Sequence, residues 1–203
     1  CKIGGLAYGD ATPEQWGVAA RKVDFFDVKA DVEILCGGID LVFSPAKQTT
    51  FLHPGRSAHI LVGGQVIGFI GELHPKLVQQ YEFTQAPVLF ELDSEAVLPS
   101  RLPKYNEVSK FPPVARDLAV LVDEEAEVGG ILALVRSKTP LMGTQVILFD
   151  IYRGQGVPKG KKSLAFRVVM QDTERTYTDD EVDAVIAKIV DALQGGYGAE
   201  LRS

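Results

Sequence analysis

The stretch TQVILFDIYRGQGVPKGKKSLAFRVVMQ, residues 144–171, predicts the architecture of the second half of the chain. Residues 144–153 and 163–171 are rich in β-branched and aromatic side chains, which is typical of strands. Glycine, proline and lysine crowd the connector between them, where a regular element is disfavoured. The stretch therefore predicts a β-hairpin with a long basic loop.

The segments that flank this hairpin supply two helices and two more strands. Residues 116–122 alternate as a strand, and residues 127–138 place apolar side chains at helical spacing. A capping box at residues 178–181 begins a helix that we expect to end at Gly195–Gly196, and residues 197–202 follow as a short strand. The order β-α-β-β-α-β predicts the ferredoxin-like fold, with both helices on one face of a four-stranded sheet.

The first half of the chain predicts a different, largely antiparallel sheet with at least one helix against it. Its expected elements are a strand at 4–9, a helix at 23–35, a strand at 41–43, a hairpin at 58–73 that turns at Gly63–Gly64, and a strand at 87–93. The fold class is therefore α+β throughout.

Four prolines interrupt the chain between its two halves, at positions 99, 103, 112 and 113. Neither a helix nor a sheet can run through them undisturbed. We therefore expect a first domain at 1–98, a Pro-rich linker at 99–113 and a second domain at 114–203. The opening CKIGGLAYG has no cap or turn before it, which suggests a fragment that begins inside a domain.

Composition limits the classes of partner. The 203 residues carry a formal net charge of −6, so any nucleic-acid contact has to be a local basic patch. No apolar run approaches the roughly 18 to 20 residues that cross a bilayer, which argues against a membrane partner. The two cysteines, Cys1 and Cys36, predict no disulfide framework and fit a cytoplasmic protein.

Candidate catalytic and metal motifs fail on spacing. GVPKGKKS at 156–163 has Lys161 where a phosphate-binding loop needs glycine, and it joins two strands instead of opening a helix. His53 and His74 each precede a proline, and no Cys or Glu completes a ligand set with them, so we expect turn residues and no metal. The sequence predicts no catalytic residue and no bound cofactor.

The hairpin carries the candidate site. Strand alternation turns Leu164, Phe166, Val168 and Met170 toward the helices, which leaves Ser163, Ala165 and Arg167 on the open face. In the partner strand Ile147, Phe149 and Ile151 are expected to face inward, so that Tyr152 emerges beside Ser163. The basic side chains around this pair are Arg153, Lys159, Lys161, Lys162 and Arg167.

An exposed aromatic ring, a hydroxyl and several cations together predict a platform for single-stranded RNA. In that interpretation the ring stacks on a base, the hydroxyl hydrogen-bonds its edge and the cations contact phosphates. The alternative is that the lysines only solubilise the loop while Tyr152 covers the sheet.

Three long motifs in the second half resemble a known family. KFPPVARDLAV (110–120), LFDIYRGQGVPKGKKSLAF (148–166) and QDTERTYTDDEV (171–182) are similar to the ferredoxin-fold anticodon-binding domain at the C-terminus of bacterial phenylalanyl-tRNA synthetase β subunits. VDFFDVKADVE (23–33), LHPGRSAHI (52–60) and IGFIGELHP (67–75) resemble the end of the catalytic-like, class II synthetase-like module of the same subunits. The resemblance covers essentially the whole chain.

The resemblance implies a part in an α2β2 ligase that charges tRNA(Phe) with the help of ATP and Mg²⁺. Catalysis and both cofactors belong to the α subunit in that family, so this chain alone is expected to be noncatalytic. The family's stacking tyrosine and hydrogen-bonding serine match Tyr152 and Ser163, while roles for the five basic residues rest on charge and placement. The alternative is a protein-protein interaction module with only minor RNA contact.

Overall fold

The computed structural model describes residues 1–46, 49–97, 108–139 and 144–202. The chain divides into two compact units, Cys1–Leu102 and Pro103–Ser203. The expected linker at 99–113 falls mostly on residues 98–107, which lie outside the described part, so its boundaries stay a prediction. No helix in the described ranges is long and apolar enough to cross a membrane.

The first unit is an antiparallel five-stranded sheet in the order β1-β5-β4-β3-β2. Val28 and Val32 on α1 are buried in its core, together with Ile60 and Ile70 of the sheet. Its elements are β1 (Lys2–Ala7), α1 (Phe25–Leu35), β2 (Val42–Pro45), β3 (Leu52–Val62), β4 (Gln65–Leu73), α2 (Pro75–Gln80), β5 (Val88–Asp93) and α3 (Ser94–Val97). The predicted antiparallel sheet with a helix against it is confirmed.

The backbone of the hairpin between β3 and β4 shows why its turn could be predicted from the sequence. Gly63 and Gly64 have φ values of 57° and 82°, and Val62 pairs with Gln65 across them. A two-residue turn that needs positive φ at both positions favours glycine, because side chains with a Cβ are strained there. The turn therefore lies where the sequence predicted it.

The second unit has the ferredoxin-like order, with β7-β8-β6-β9 as an antiparallel sheet. Its elements are β6 (Val114–Asp123), α4 (Val128–Lys138), β7 (Gln145–Tyr152), β8 (Lys161–Met170), α5 (Asp179–Tyr197) and β9 (Glu200–Leu201). Leu164, Phe166, Val168 and Met170 are fully buried against Ile131 and Ile189 of the two helices. Both helices thus cover one face of the sheet, as predicted, and the described part of the unit has no helix on the other, open face.

The end of α5 differs from the sequence prediction. Gly195 and Gly196 lie inside the helix, and the C-cap is Gly198 with φ 58°. Gly198 N–H donates to Gln194 and Ala199 N–H to Leu193, so a left-handed cap satisfies the last carbonyls. Gly195 and Gly196 have no positive φ and continue the helix, whereas Gly198 has the left-handed backbone that ends it.

Candidate nucleic-acid interface

Tyr152 and Ser163 are directly opposed in the ladder between β7 and β8. Tyr152 is the last residue of β7 and is 37% exposed, whereas Ser163 is only 3% exposed. The predicted pairing of this ring and this hydroxyl on the open face is therefore present. The hydroxyl lies deeper than the strand pattern suggested.

A bulge in β7 decides which way Tyr152 points. Leu148 pairs with Phe166 and Asp150 with Ala165, so Phe149 is an extra residue without a partner on β8. Before the bulge, Val146 and Leu148 face the core; after it the alternation shifts by one, and Tyr152 reaches the open face. A regular strand continuing from Val146 and Leu148 would have turned Tyr152 inward.

The predicted inward orientation of Ile147 and Phe149 in β7 was wrong, because the bulge changes the alternation between them and Ile151. Ile147 and Phe149 are 46% and 55% exposed, and Val146 and Leu148 occupy the core instead. Ile151 pairs with the buried Leu164 and shares its inward side, although at the end of an edge strand it is 38% exposed. Regular alternation could not describe a strand that contains a bulge.

The Tyr152 side chain is held from two sides. Its hydroxyl donates to the Gln155 carbonyl at 3.3 Å, and a Cβ on Gly154 would lie only 2.6 Å from that hydroxyl oxygen. The Arg202 guanidinium carbon lies 5.0 Å from the ring centre, in cation–π range. Because Gly154 has no side chain, the turn can close against the ring.

Arg202 belongs to this site although the sequence did not predict it. Its backbone N–H donates to Ala119 on β6, so it follows β9 at the edge of the sheet opposite to β7. Strands lie about 4.8 Å apart, so the Tyr152 ring has to lean across the sheet to meet this guanidinium. The available signal was the spacing of two residues from Glu200, which places both side chains on one face of a strand.

Three of the five predicted basic residues are neutralised within the unit. Arg153 Nε lies 2.7 Å from Glu124, and Lys161 Nζ lies 2.6 Å from Glu200. The acid partners come from the β6–α4 turn and from β9, far away in sequence. Most of the basic side chains predicted around Tyr152 and Ser163 are thus not available as free positive charges.

Arg167 makes the third of these pairs. Its Nε and Nη2 donate to the two carboxylate oxygens of Asp117 at 2.6 and 2.8 Å. The hydrogen bonds favour the charged forms on both sides, so the pKa of Asp117 is lowered and that of Arg167 is raised. Glu200 likewise raises the pKa of Lys161.

The Lys162 side chain is buried and supports the fold of the unit. It is 6% exposed, and its ammonium donates to the carbonyl oxygens of Glu124 and Ala126, both at 2.7 Å. The expectation that it lies in an open ring of cations is therefore corrected. It pairs with Val122 on the core-facing side of β8, which is why alternation turns it inward.

Glu124 ties the hairpin loop to the β6–α4 turn. Its carboxylate binds Arg153, its N–H donates to the Gly160 carbonyl at 2.8 Å, and its own carbonyl accepts from Lys162. Lys159 is exposed in this loop and takes part in none of the ion pairs found among the described residues. The loop is therefore anchored near both ends, with Lys159 projecting from it.

The histidines considered as metal ligands have local roles. His53 Nδ1 accepts from Gly55 N–H and His74 Nδ1 from Lys76 N–H, both at 3.1 Å, and His74 is the N-cap of α2. The described ranges contain no group of three His, Cys, Asp or Glu side chains that could hold a metal ion.

Each of the two units matches a family of known proteins. A family model described as the ferredoxin-fold anticodon binding domain matches residues 109–202, and one described as the phenylalanyl tRNA synthetase beta chain CLM domain matches residues 1–94. The phenylalanine–tRNA ligase beta subunits of Dechloromonas aromatica and Thiobacillus denitrificans are each 50% identical over 202 residues, which is 100% of this chain and 25% and 26% of those proteins. The chain belongs to the phenylalanyl-tRNA synthetase β chain family.

The chain spans about a quarter of the length of these β chain relatives. The subunit of Nitrosospira multiformis is a further β chain relative, 46% identical over 202 residues. The anticodon-binding match at 109–202 contains the whole Tyr152 and Ser163 region, including Arg202. The geometry described above therefore lies inside the unit whose family model is named for binding an anticodon.

Proposed function

We propose that this chain binds the anticodon region of tRNA(Phe) as part of phenylalanine–tRNA ligase. The observation that carries the proposal is the opposed Tyr152–Ser163 pair on the open face of a unit that matches an anticodon-binding domain. Tyr152 would stack on an anticodon base and Ser163 would hydrogen-bond its edge. Stacking on aromatic rings and edge hydrogen bonds are the usual way in which single-stranded RNA is read.

Base binding on the side of the Tyr152 ring that Arg202 occupies requires this contact to open, because the guanidinium carbon lies 5.0 Å from the ring centre. Rotation of an exposed side chain is fast. For Tyr152 it has to break only two weak contacts, a 3.3 Å hydrogen bond and one cation–π pair. Arg202 is then free to stack on the base or to bind its phosphate.

The basic residues enter this proposal with different weights. The exposed Lys159 and Arg202 are the strongest candidates among the basic residues for binding phosphate. Arg153, Lys161 and Arg167 remain candidate contacts to phosphate or ribose, each with its charge already shared with an acid. Lys162 supports the loop, and we no longer propose it as a direct RNA contact.

The test is a binding titration of the anticodon stem-loop of tRNA(Phe) and of an anticodon-swapped version. Tyr152→Ala should weaken the cognate complex by about 1 to 3 kcal/mol, while Tyr152→Phe keeps the ring and should keep most of the affinity. Tyr81→Ala is the matched control, because Tyr81 is an exposed tyrosine of the first unit. Equal binding of both RNAs, unchanged in Tyr152→Ala, would contradict base reading by this ring.

A protein-interaction module with minor RNA contact is the second candidate. The observation that favours it is the neutralisation of Arg153, Lys161 and Arg167, which leaves little net positive charge on the open face. In that case the titration would give weak binding that does not depend on the anticodon or on Tyr152.

We further propose that the first unit joins the chain to the catalytic α subunit in an α2β2 assembly. On α1 the residues Phe26, Ile34 and Leu35 are 73%, 77% and 48% exposed. Exposed apolar side chains of this kind are typical of subunit interfaces. ATP, Mg²⁺ and the chemistry would then reside on α, in the cytoplasm. The chain alone should show no phenylalanine-dependent ATP–pyrophosphate exchange, and exchange above background would refute this division of labour.

Co-purification with the α subunit tests the interface itself. Ile34→Asp should weaken the assembly, because it places a charge where an apolar contact forms. Val66→Asp is the control, since Val66 is also exposed but belongs to β4. Equal loss in both variants, or loss in neither, would count against α1 as the contact.

A further inference from the structure

Phe149 is a second aromatic side chain on the open face of the ferredoxin-like sheet. It is the extra residue of the β7 bulge and is 55% exposed. Its ring centre lies 5.8 Å from the Arg167 guanidinium carbon, on the face to which β8 turns Arg167. The core is filled by Val146 and Leu148, so burial does not explain the position of this ring.

We propose that Phe149 and Arg167 form a second base-stacking position, for a nucleotide that neighbours the one held by Tyr152. This inference rests on the proposed function and adds a subsite to it. Its ligand is an unpaired nucleobase of single-stranded RNA. An aromatic ring and a guanidinium plane are the two protein surfaces on which unstacked bases are most often received.

The charges around Phe149 favour a base over a phosphate. Asp117 holds the Arg167 guanidinium through two hydrogen bonds, so most of its positive charge is already compensated. Asp150 follows Phe149 in the chain and pairs with Ala165 in the ladder, which adds an acid close to the ring. A phosphate would be repelled there, whereas a neutral base needs only a flat surface. The Asp117 pair also fixes the plane of the guanidinium.

The spacing along β8 joins the two positions into one track. Ser163, Ala165 and Arg167 follow one another on the open face, and same-face residues lie roughly 6.7 Å apart along a strand. Arg167 is therefore roughly 13 Å from Ser163 by the same spacing. Between them lies Ala165, with Ala119 of β6 on one side and Asp150 of β7 on the other. Ala165 and Ala119 both have small side chains. This floor leaves room for bases to lie against the sheet.

The experiment is a binding titration of the chain with anticodon-loop RNAs that carry one abasic nucleotide, moved through the loop position by position. Phe149→Leu keeps an apolar side chain in the bulge and removes the aromatic face. It should weaken binding of the intact RNA by about 5-fold or more. With the RNA that lacks the base stacked on Phe149, the same substitution should weaken binding by less than about 2-fold, because that base is already missing. This abasic position should differ from the one at which Tyr152→Ala loses its effect on binding.

Arg167→Lys is the second variant, since it retains the charge and loses the planar guanidinium. It should give the same coupling as Phe149→Leu, at the same abasic position. Phe83→Leu is the matched control, because Phe83 is an exposed phenylalanine of the first unit, and it should leave all affinities unchanged. Circular dichroism of each variant checks that the fold is kept.

The outcomes separate this inference from the proposed function. If Tyr152→Ala weakens binding and Phe149→Leu does not, the second position is refuted and the first stands. If Phe149→Leu costs the same with every abasic RNA, its effect does not come from a stacked base, and the second position is again refuted. If no RNA binds with anticodon preference and Tyr152→Ala changes nothing, the proposed function itself fails, and the second position with it.

Discussion

The Arg202 guanidinium lies 5.0 Å from the centre of the Tyr152 ring, although the two residues belong to opposite edges of one sheet. The contact forms because the ring leans across β8 and because Arg202 extends over β6. Ser163, the ladder partner of Tyr152, is only 3% exposed. The open face therefore presents its stacking ring more fully than its serine.

The salt dependence of RNA binding should be shallow. For single strands the slope of log K against log salt is about −0.7 per neutralised phosphate. With Lys159 and Arg202 as the main contributors, we expect a slope of about −1.4. A titration of the anticodon stem-loop over a salt series measures it. A slope near −3.5, the value for about five phosphates, would show that the acid-paired cations also release counterions.

Lys162→Met should destabilise the start of α4. The substitution keeps the apolar stem but leaves the Glu124 and Ala126 carbonyls without the buried donor that they share. Unsatisfied buried acceptors cost about 1 to 3 kcal/mol. Hydrogen exchange of the α4 amides measures the loss, and exposed Lys159→Met should change the protection by no more than about 0.5 kcal/mol. Equal effects of the two substitutions would remove the structural role of Lys162.

The limits of the sequence analysis follow from which contacts are local. The Gly63–Gly64 turn, the capping box and the alternation of β8 depend on neighbouring residues, and the sequence predicted all three. The sequence does not reveal the β7 bulge, because it lies in an apolar run in which Ile147 and Phe149 are as apolar as the buried Val146. The partners Asp117, Glu124 and Glu200 lie 29 to 50 residues from their cations, so the pairing that removes most of the basic patch was invisible along the chain.

Acid should loosen the N-terminus of α5. Arg175 and the Thr178 backbone bind the Glu181 carboxylate and hold its pKa at about 2, below the ordinary 4.5. A folded-state pKa below the unfolded one means that the stabilisation is present above about pH 4.5 and is lost as the pH falls toward 2. The protection factors of the first α5 amides in hydrogen exchange, which are corrected for the intrinsic pH dependence of exchange, should therefore fall through this window.

Glu181→Gln tests the assignment of this pH dependence. The variant should show weaker protection near neutral pH and little further loss in acid, because its side chain does not titrate. Asp180→Asn is the control, since Asp180 lies in the same turn but outside the capping box. An acid response that is unchanged in Glu181→Gln would place the titrating group elsewhere.

The glycines near the end of α5 should respond to alanine with opposite signs. Gly198 has φ 58°, where alanine is strained by roughly 1 to 2 kcal/mol, so Gly198→Ala should lower the melting temperature. Gly195 lies inside the helix, and a Cβ there would meet nothing within 4 Å. Gly195→Ala should stabilise the unit by roughly 0.5 to 1 kcal/mol, because alanine loses less backbone entropy. Thermal unfolding of the two variants beside the unchanged chain measures both signs. Stabilisation by Gly198→Ala, or destabilisation by Gly195→Ala, would mean that the helix ends at the first glycine pair after all.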